Sequence, residues 1–308
     1  MDSSPDSFRL GSVVSMKLDE VITGNCIEWM VHAPLSFQAD LVFADPPFNI
    51  GYDYDQHKDN MPPAEYMGWC RQWMLAAYSV LRPGGSFWLA IGDEYAAELK
   101  VRAQESGFTF RSWVIWHYTF GVARQSSFSR SHTHLLYFVK DGTPTRPITW
   151  NADAIRVPSA RMTTYGDPRQ RPGGKVPDNT WILRPADVPD AFAPDSDTWC
   201  VSRVAGTFSE RCRWHPCQMP EQVLGRIIRA CTNPGDIVLD PFAGSGAALA
   251  VAKKLDRQYV GIEISPDYCT GIKKRLESIN AGDPLHGSES FVSGPMRART
   301  RYSKGNNP

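Results

Sequence analysis

No apolar run in the 308-residue chain approaches the roughly eighteen residues that a membrane-crossing helix needs, so no membrane partner is expected. Net charge is absent too. Thirty-three Lys+Arg cancel thirty-three Asp+Glu, which leaves no global pull toward nucleic acid and shifts that argument to local clusters. The opening MDSSPDSFRL lacks a basic stretch followed by an apolar one, so no leader is expected. Cysteines are few and odd in number, seven, and their scatter suits reduced thiols in a cytosol. Cys212, His215 and Cys217 lie close together, yet no second cysteine pair accompanies them and no metal is expected. Fixed-period repeats are missing, as is a GxGxxG fingerprint: after Gly244 and Gly246 the third position is Leu249. That absence argues against a dinucleotide enzyme.

What is present centres on DPPFNI, Asp45 to Ile50. It follows the apolar run Leu41 to Ala44, which predicts a buried parallel strand. Pro46 and Pro47 stiffen the turn, and Pro47 pushes Pro46 into an extended conformation with an outward carbonyl. With Phe48 behind them, the Asp45 carboxylate and the Pro46 carbonyl can accept hydrogen bonds from a planar amino group whose ring stacks on the phenyl face.

The rest of the chain alternates. A strand, a turn at Gly24-Asn25 and a short helix are predicted in residues 20–30, a helix from Pro62 with a stop at Arg82–Gly85, a strand over SFWLAIG, and a helix over 93–106. Strands over FRSWVIWHY and LLYFVK are expected to pair. The polar, aromatic loop GYDYDQHKDN reads as a mobile lid. Residues 141–214 are crowded with proline and glycine and predict no helix, whereas helix and strand alternate again from Met219 to Ile279. The pattern gives an open, mostly parallel α/β sheet with helices on both faces and an irregular insertion. Its expected organisation is an N-terminal extension (1–19), a catalytic half (20–140), a target-recognition insertion (141–214), a second half of the same domain (215–280) and a basic tail (281–308).

A second site is read from DPFAGSG, Asp240 to Gly246, where a strand ends and a helix begins. Its glycines allow close backbone approach, and the helix start offers free N–H groups. Glu263, seventeen residues beyond Gly246, ends the next strand and is placed to bind ribose hydroxyls. If the strands ending at Asp45 and Asp240 are central neighbours, both sites face one crevice.

DPPFNI early in the chain, then HPCQMPEQ (His215 to Gln222), DPFAGSG and GIEIS in that order resemble the beta group of DNA amino-methyltransferases over about residues 20–280. The resemblance implies a Rossmann-like, S-adenosylmethionine-dependent methyltransferase fold. It implies catalysis by Asp45, Pro46, Pro47 and Phe48. Cofactor contacts would come from Asn25, Cys26, Asp45, His215, Gln218, Asp240, Phe242, Ala243, Gly244, Ser245, Gly246, Glu263 and Ile264. Departures are GSGAA for a common GSGTT, Asn25 for a frequent aspartate and Phe48 for a common tyrosine.

Adenine N6 is the expected target. Cytosine N4, RNA, a protein glutamine and a non-catalytic DNA-binding relative are the alternatives. Double-stranded DNA is the expected partner, bound through Arg124, Arg130, Arg161, Arg169, Arg171 and Lys175. A homodimer and a cognate restriction endonuclease are further expected partners, in the cytoplasm of a bacterium or encoded by a phage. His132 and His134 are expected to be structural or phosphate-facing, and Trp69, Trp73, Trp113 and Trp116 to belong to the core.

Overall fold

A computed structural model describes residues 17–122, 126, 128, 130–157, 159, 166–169, 171, 173–181 and 211–287. The early elements are β1 (Glu20–Thr23), α1 (Cys26–His32), β2 (Ala39–Ala44), α2 (Pro63–Val80), β3 (Leu81–Ile91) and α3 (Ala96–Glu105). The long strands β4 (Thr109–Val122) and β5 (Arg130–Val139) follow, then the two-residue β6 (Thr180–Trp181). Alternation resumes with α4 (Glu221–Cys231), β7 (Ile237–Asp240), α5 (Ala247–Lys254), β8 (Gln258–Glu263) and α6 (Pro266–Glu277).

The strands form one eight-stranded sheet in the order β1-β8-β7-β2-β3-β5-β4-β6. The pairs from β1 through β3 are parallel, and β5 runs antiparallel to both β3 and β4. Strands β7 and β2 are neighbours, with Leu41 opposite Val238 and Val42 opposite Leu239, so the strand order reverses at the centre of the sheet. Asp40 helps fix that junction. Its carboxylate accepts the Ile237 N–H at 2.8 Å and pairs with Arg82, tying β2 to β7 and β3.

The period-two alternation of the strands decides the layers. Leu41, Phe43, Trp88 and Ala90 join α4, α5 and α6 in one core, while Val42, Ala44, Phe87, Leu89 and Ile91 join α1, α2 and α3 in the other. Helix starts follow local chemistry. Asn25 caps α1 by accepting from Ile27 N–H at 2.9 Å, and Ser265 caps α6 with Pro266 at its first position.

Two expectations change. Arg82–Gly85, read as a stop, lies within β3, where Gly84 adopts φ +75° and its backbone runs against Pro147: a Cβ there would sit 2.4 Å from the Pro147 carbonyl oxygen. The described parts of the insertion at 141–214 touch the rest of the domain. Asn151 donates to the Arg229 and Thr232 carbonyls at the end of α4, and Trp181 is buried in the core beside β4. The loop after DPPFNI is pinned. Asp59, 2% exposed, accepts the backbone N–H groups of Asn49, Ile50 and Tyr52, and Asn49 exchanges hydrogen bonds with Met61. A carboxylate with three backbone donors orders a loop that composition alone makes look mobile. The extension before residue 17 and the tail beyond 287 lie outside the described residues.

Candidate active site

A cavity of about 380 Å³ opens at the carboxyl ends of β2 and β7. One wall carries Asn25, Cys26, Asp240, Phe242, Ala243, Gly244, Ser245, Glu263 and Ile264, with His215 and Gln218. The other carries Asp45, Pro47 and Phe48. The two expected sites therefore share one crevice, as the central pairing of β7 with β2 requires. Pro46 is buried and does not line the cavity, and Gly246 turns away toward α6.

At the Asp45–Phe48 turn, the Tyr66 hydroxyl donates to the Pro47 carbonyl at 2.8 Å. The scaffold thus takes the Pro47 carbonyl, while Pro46 is buried beside it. Phe48 lies against Gly92, where an added Cβ would come within 3.3 Å of the ring. The pinned loop contributes Tyr52, Tyr54, Asp55, Gln56 and His57 to the cavity, and Asp55 accepts from the Ser265 hydroxyl at 2.6 Å. This loop therefore fastens the Asp45 wall to the Glu263 wall.

The glycine loop is held from the other side. Glu263 accepts the Gly244 N–H at 2.8 Å and the Ser265 N–H at 2.9 Å. Gly244 adopts φ +48°, and a Cβ there would lie 3.0 Å from the His215 ring, so glycine is what lets the histidine close over the loop. The His215 Nδ1 is engaged by the Cys217 carbonyl, and burial lowers its pKa. Gln218 accepts the Cys212 N–H at 2.8 Å. Among the described residues no His, Cys, Asp and Glu cluster could hold a metal ion, and the histidine serves the loop instead.

Burial raises the pKa of Glu263, against the opposing pull of the Ser265 and Gly244 N–H groups. It raises Asp240 well above the ordinary range, with Asp45 and Glu263 adding repulsion. Four carboxylates line the cavity, Asp45, Asp55, Asp240 and Glu263, and with two of them desolvated it suits a cation.

Placement differs from expectation elsewhere. The Asn25 side chain is engaged as the α1 cap while also lining the cavity. Arg130 lines the cavity and is paired with Asp93 at 2.5 Å and with Glu94, an environment its sequence neighbours do not announce. Arg169 is exposed and paired with Asp167 at 2.8 Å, Lys175 pairs with Asp178 at 2.6 Å, and Arg171 is exposed. Arg124 and Arg161 lie outside the described residues. Trp73 and Trp116 are buried in the core as expected, Trp116 also lining the cavity, and partly buried Trp69 lines it too. His134 is structural: it accepts from the Trp113 indole at 2.9 Å, and burial with the nearby His132 lowers its pKa to about 4. Sequence reasoning missed Asp59, Tyr66 and Asp55, because their partners lie far along the chain or in unpatterned loop.

The chain matches the DNA methylase family over residues 39–274. The type II methyltransferase M.HpaI of Haemophilus parainfluenzae is 34% identical over 240 residues, covering 78% of this chain and 68% of that protein. The DNA adenine methyltransferase YhdJ of Escherichia coli (strain K12) is 31% identical over 294 residues, 92% of each. Among solved structures, the M1.HpyAVI–SAM complex superposes with a TM-score of 0.56 at 20% identity, over 83% of this chain and 98% of that one. The PvuII DNA methyltransferase (cytosine-N4-specific) gives 0.57 at 18% identity, over 87% and 88%. These likenesses give the fold, that of the S-adenosylmethionine-dependent DNA methyltransferases. With the family match spanning most of its length, the protein belongs to the DNA methylases, the family that modifies N6 of adenine or N4 of cytosine.

Proposed function

We propose that the protein transfers a methyl group from S-adenosylmethionine to the exocyclic N6 of adenine in double-stranded DNA. The observation that carries this reading is one cavity holding Asp45, Phe48, the glycine loop and Glu263 together. The cofactor fits that wall. Its sulfonium and ammonium cations match the carboxylates of Asp45, Asp240 and Glu263, Glu263 lies within reach of ribose hydroxyls, and Asn25, Cys26 and half-exposed Ile264 offer an edge for a purine. When bound there, it supplies an electrophilic methyl group.

The chain's residues then have defined tasks. An exocyclic amino nitrogen is a poor nucleophile because its lone pair is delocalised into the ring. Asp45 and the Pro46 carbonyl accept its two N–H groups and localise that pair. Phe48 stacks on the ring of a base that has left the helix, at an unpairing cost of a few kcal/mol. Tyr52, Tyr54 and His57 on the pinned loop exclude water from the same space. No covalent intermediate on a cysteine is needed, and burial pushes the thiol pKa of cavity-lining Cys26 up to about 12.

Adenine is favoured by the Asp-Pro-Pro-Phe signature and by YhdJ, named as an adenine methyltransferase and similar across nearly the whole chain. Residues 141–214 with their arginines form the target-recognition segment in this reading. The proposal extends to a partner endonuclease of the same specificity, prompted by the likeness to M.HpaI, named as a type II methyltransferase, and to a homodimer. The test is methyl transfer to unmethylated genomic DNA, with nucleosides resolved by mass spectrometry. N6-methyladenine is expected; N4-methylcytosine would overturn the choice of base, and no transfer would overturn the activity.

The acidic cavity also predicts a pH dependence. Glu263 and Asp240 hold protons in the folded protein above the ordinary values of 4.5 and 3.8, where the unfolded chain has lost them. Their contribution to stability is therefore fullest below those values and is lost as pH rises through the raised ones. A cation reverses this by favouring the ionised acids. S-adenosylmethionine affinity should climb with pH over that window, with protons released on binding. Calorimetry in buffers of different ionisation enthalpy reads the released protons. Affinity independent of pH and without proton release would remove these acids from the cofactor site.

A further inference from the structure

Behind the glycine loop lies a buried ionic cluster to which the mechanism above assigns no part. Glu221, at the start of α4 and fully buried, holds Lys254 of α5 at 2.8 Å through one carboxylate oxygen and Arg275 of α6 at 2.9 Å through the other. The same oxygen that meets Lys254 accepts the His286 N–H at 2.8 Å. Burial opposes the Glu221 charge, but the Lys254 and His286 hydrogen bonds, with the Coulombic pull of Lys254 and Arg275, hold its carboxyl below the ordinary range. The carboxylate is thus a fixed, ionised anchor.

Arg275 uses its two arms differently. One amino group grips Glu221, and the other donates to the Ser245 carbonyl at 3.0 Å. Ser245 sits between Gly244 and Gly246, the two residues whose positive φ shapes the loop. The loop is therefore located by three contacts from outside it: Glu263 on the Gly244 N–H, Ile272 packed where a Gly246 side chain would be, and Arg275 on the Ser245 carbonyl. Glu221 itself directly follows His215 to Pro220, the segment that closes over Gly244. One guanidinium thus sets the distance between the loop and the segment that covers it.

We infer that Arg275, anchored by Glu221, is a positioning residue that registers the glycine loop against the His215–Pro220 segment and so tunes cofactor affinity. The inference rests on the cofactor reading given above. Lysine in its place could keep the ion pair with Glu221 but has no fork with which to reach both acceptors. A role in stability alone needs only the ion pair, whereas a positioning role needs the fork.

The experiment compares Arg275→Met and Arg275→Lys in the full chain. S-adenosylmethionine affinity is measured by calorimetry well below each melting temperature, and single-turnover transfer is measured at saturating cofactor and DNA. Arg275→Met should lower the melting temperature and weaken cofactor binding about tenfold, the scale of one charge-assisted hydrogen bond. Arg275→Lys should regain the melting temperature but not the affinity, with the saturated rate within about twofold of the native enzyme. If lysine restores both, or methionine leaves affinity within about twofold, the inference fails. If Arg275→Met does not fold, the lysine variant alone decides between the two roles. A native protein that does not bind S-adenosylmethionine would instead overturn the cofactor reading.

Discussion

Asp45→Asn is expected to fold, to bind DNA, and to lose at least about a hundredfold in the single-turnover rate of methyl transfer, the scale seen when one charge-stabilising group is lost from a preorganised site. Asparagine keeps the shape of the side chain and one carbonyl acceptor. It removes the charge that draws electron density onto the amino nitrogen as the new bond forms. A group whose effect is greatest in the transition state changes turnover far more than affinity. The scaffold should survive the change. β2 pairs with β3 up to Ala44 and with β7 at Leu41 and Val42, Tyr66 holds the Pro47 carbonyl, and Asp59 orders the loop beyond it. Cofactor affinity should fall modestly, because Asp45 is one of four acids on the cavity. A defined duplex, excess enzyme and mass spectrometry of the digested product give the rate. Near-native turnover would sink polarisation by Asp45 as the source of reactivity.

Gly244→Val should weaken cofactor binding about a hundredfold while leaving the domain folded. Two effects add. A β-branched residue at φ +48° is strained by about 1–3 kcal/mol, and its Cβ would press on the His215 ring from 3.0 Å. The histidine cannot retreat freely, because its other nitrogen is tied to Cys217 and its ring packs edge-on against Tyr268 with centroids 4.7 Å apart. Closing the covering segment against that strain should weaken binding about a hundredfold, since each 1.4 kcal/mol is a factor of ten. Gly246→Val provides the contrast. Its Cβ would sit 2.6 Å from an Ile272 methyl in the core, so it should lower the melting temperature first. Calorimetry with a thermal melt separates the two. Native affinity in Gly244→Val would reduce the loop to a structural turn.

The chemistry was legible in the chain because it is local. Asp45, the two prolines and Phe48 are consecutive, as are Asp240 to Gly246, and a strand followed by a turn needs no distant information to be read. Alternation of strand and helix signals likewise gave an open, mostly parallel sheet, since period two and period 3.6 are properties of short windows. Asn25 shows where this stops: the same side chain reads as a cofactor contact from its motif and as a helix cap from its hydrogen bonds. Arg130 reads as a phosphate contact until Asp93 and Glu94, nearly forty residues away, are brought beside it.

The sequence by itself determined which groups are candidates for the chemistry and in what order they occur. Tertiary structure decided which of them meet. The pairing of β2 with β7 joins segments almost two hundred residues apart, and no local pattern encodes that adjacency. The same holds for Asp59 beneath the catalytic turn, for Trp69 and Trp116 on the cavity wall, and for Arg275 behind Ser245. A hydrophobic pattern shows that a side chain is buried but not against what. Charge pairing depends on distance in space rather than along the chain, so partners of buried and charged groups appear once the sheet has closed.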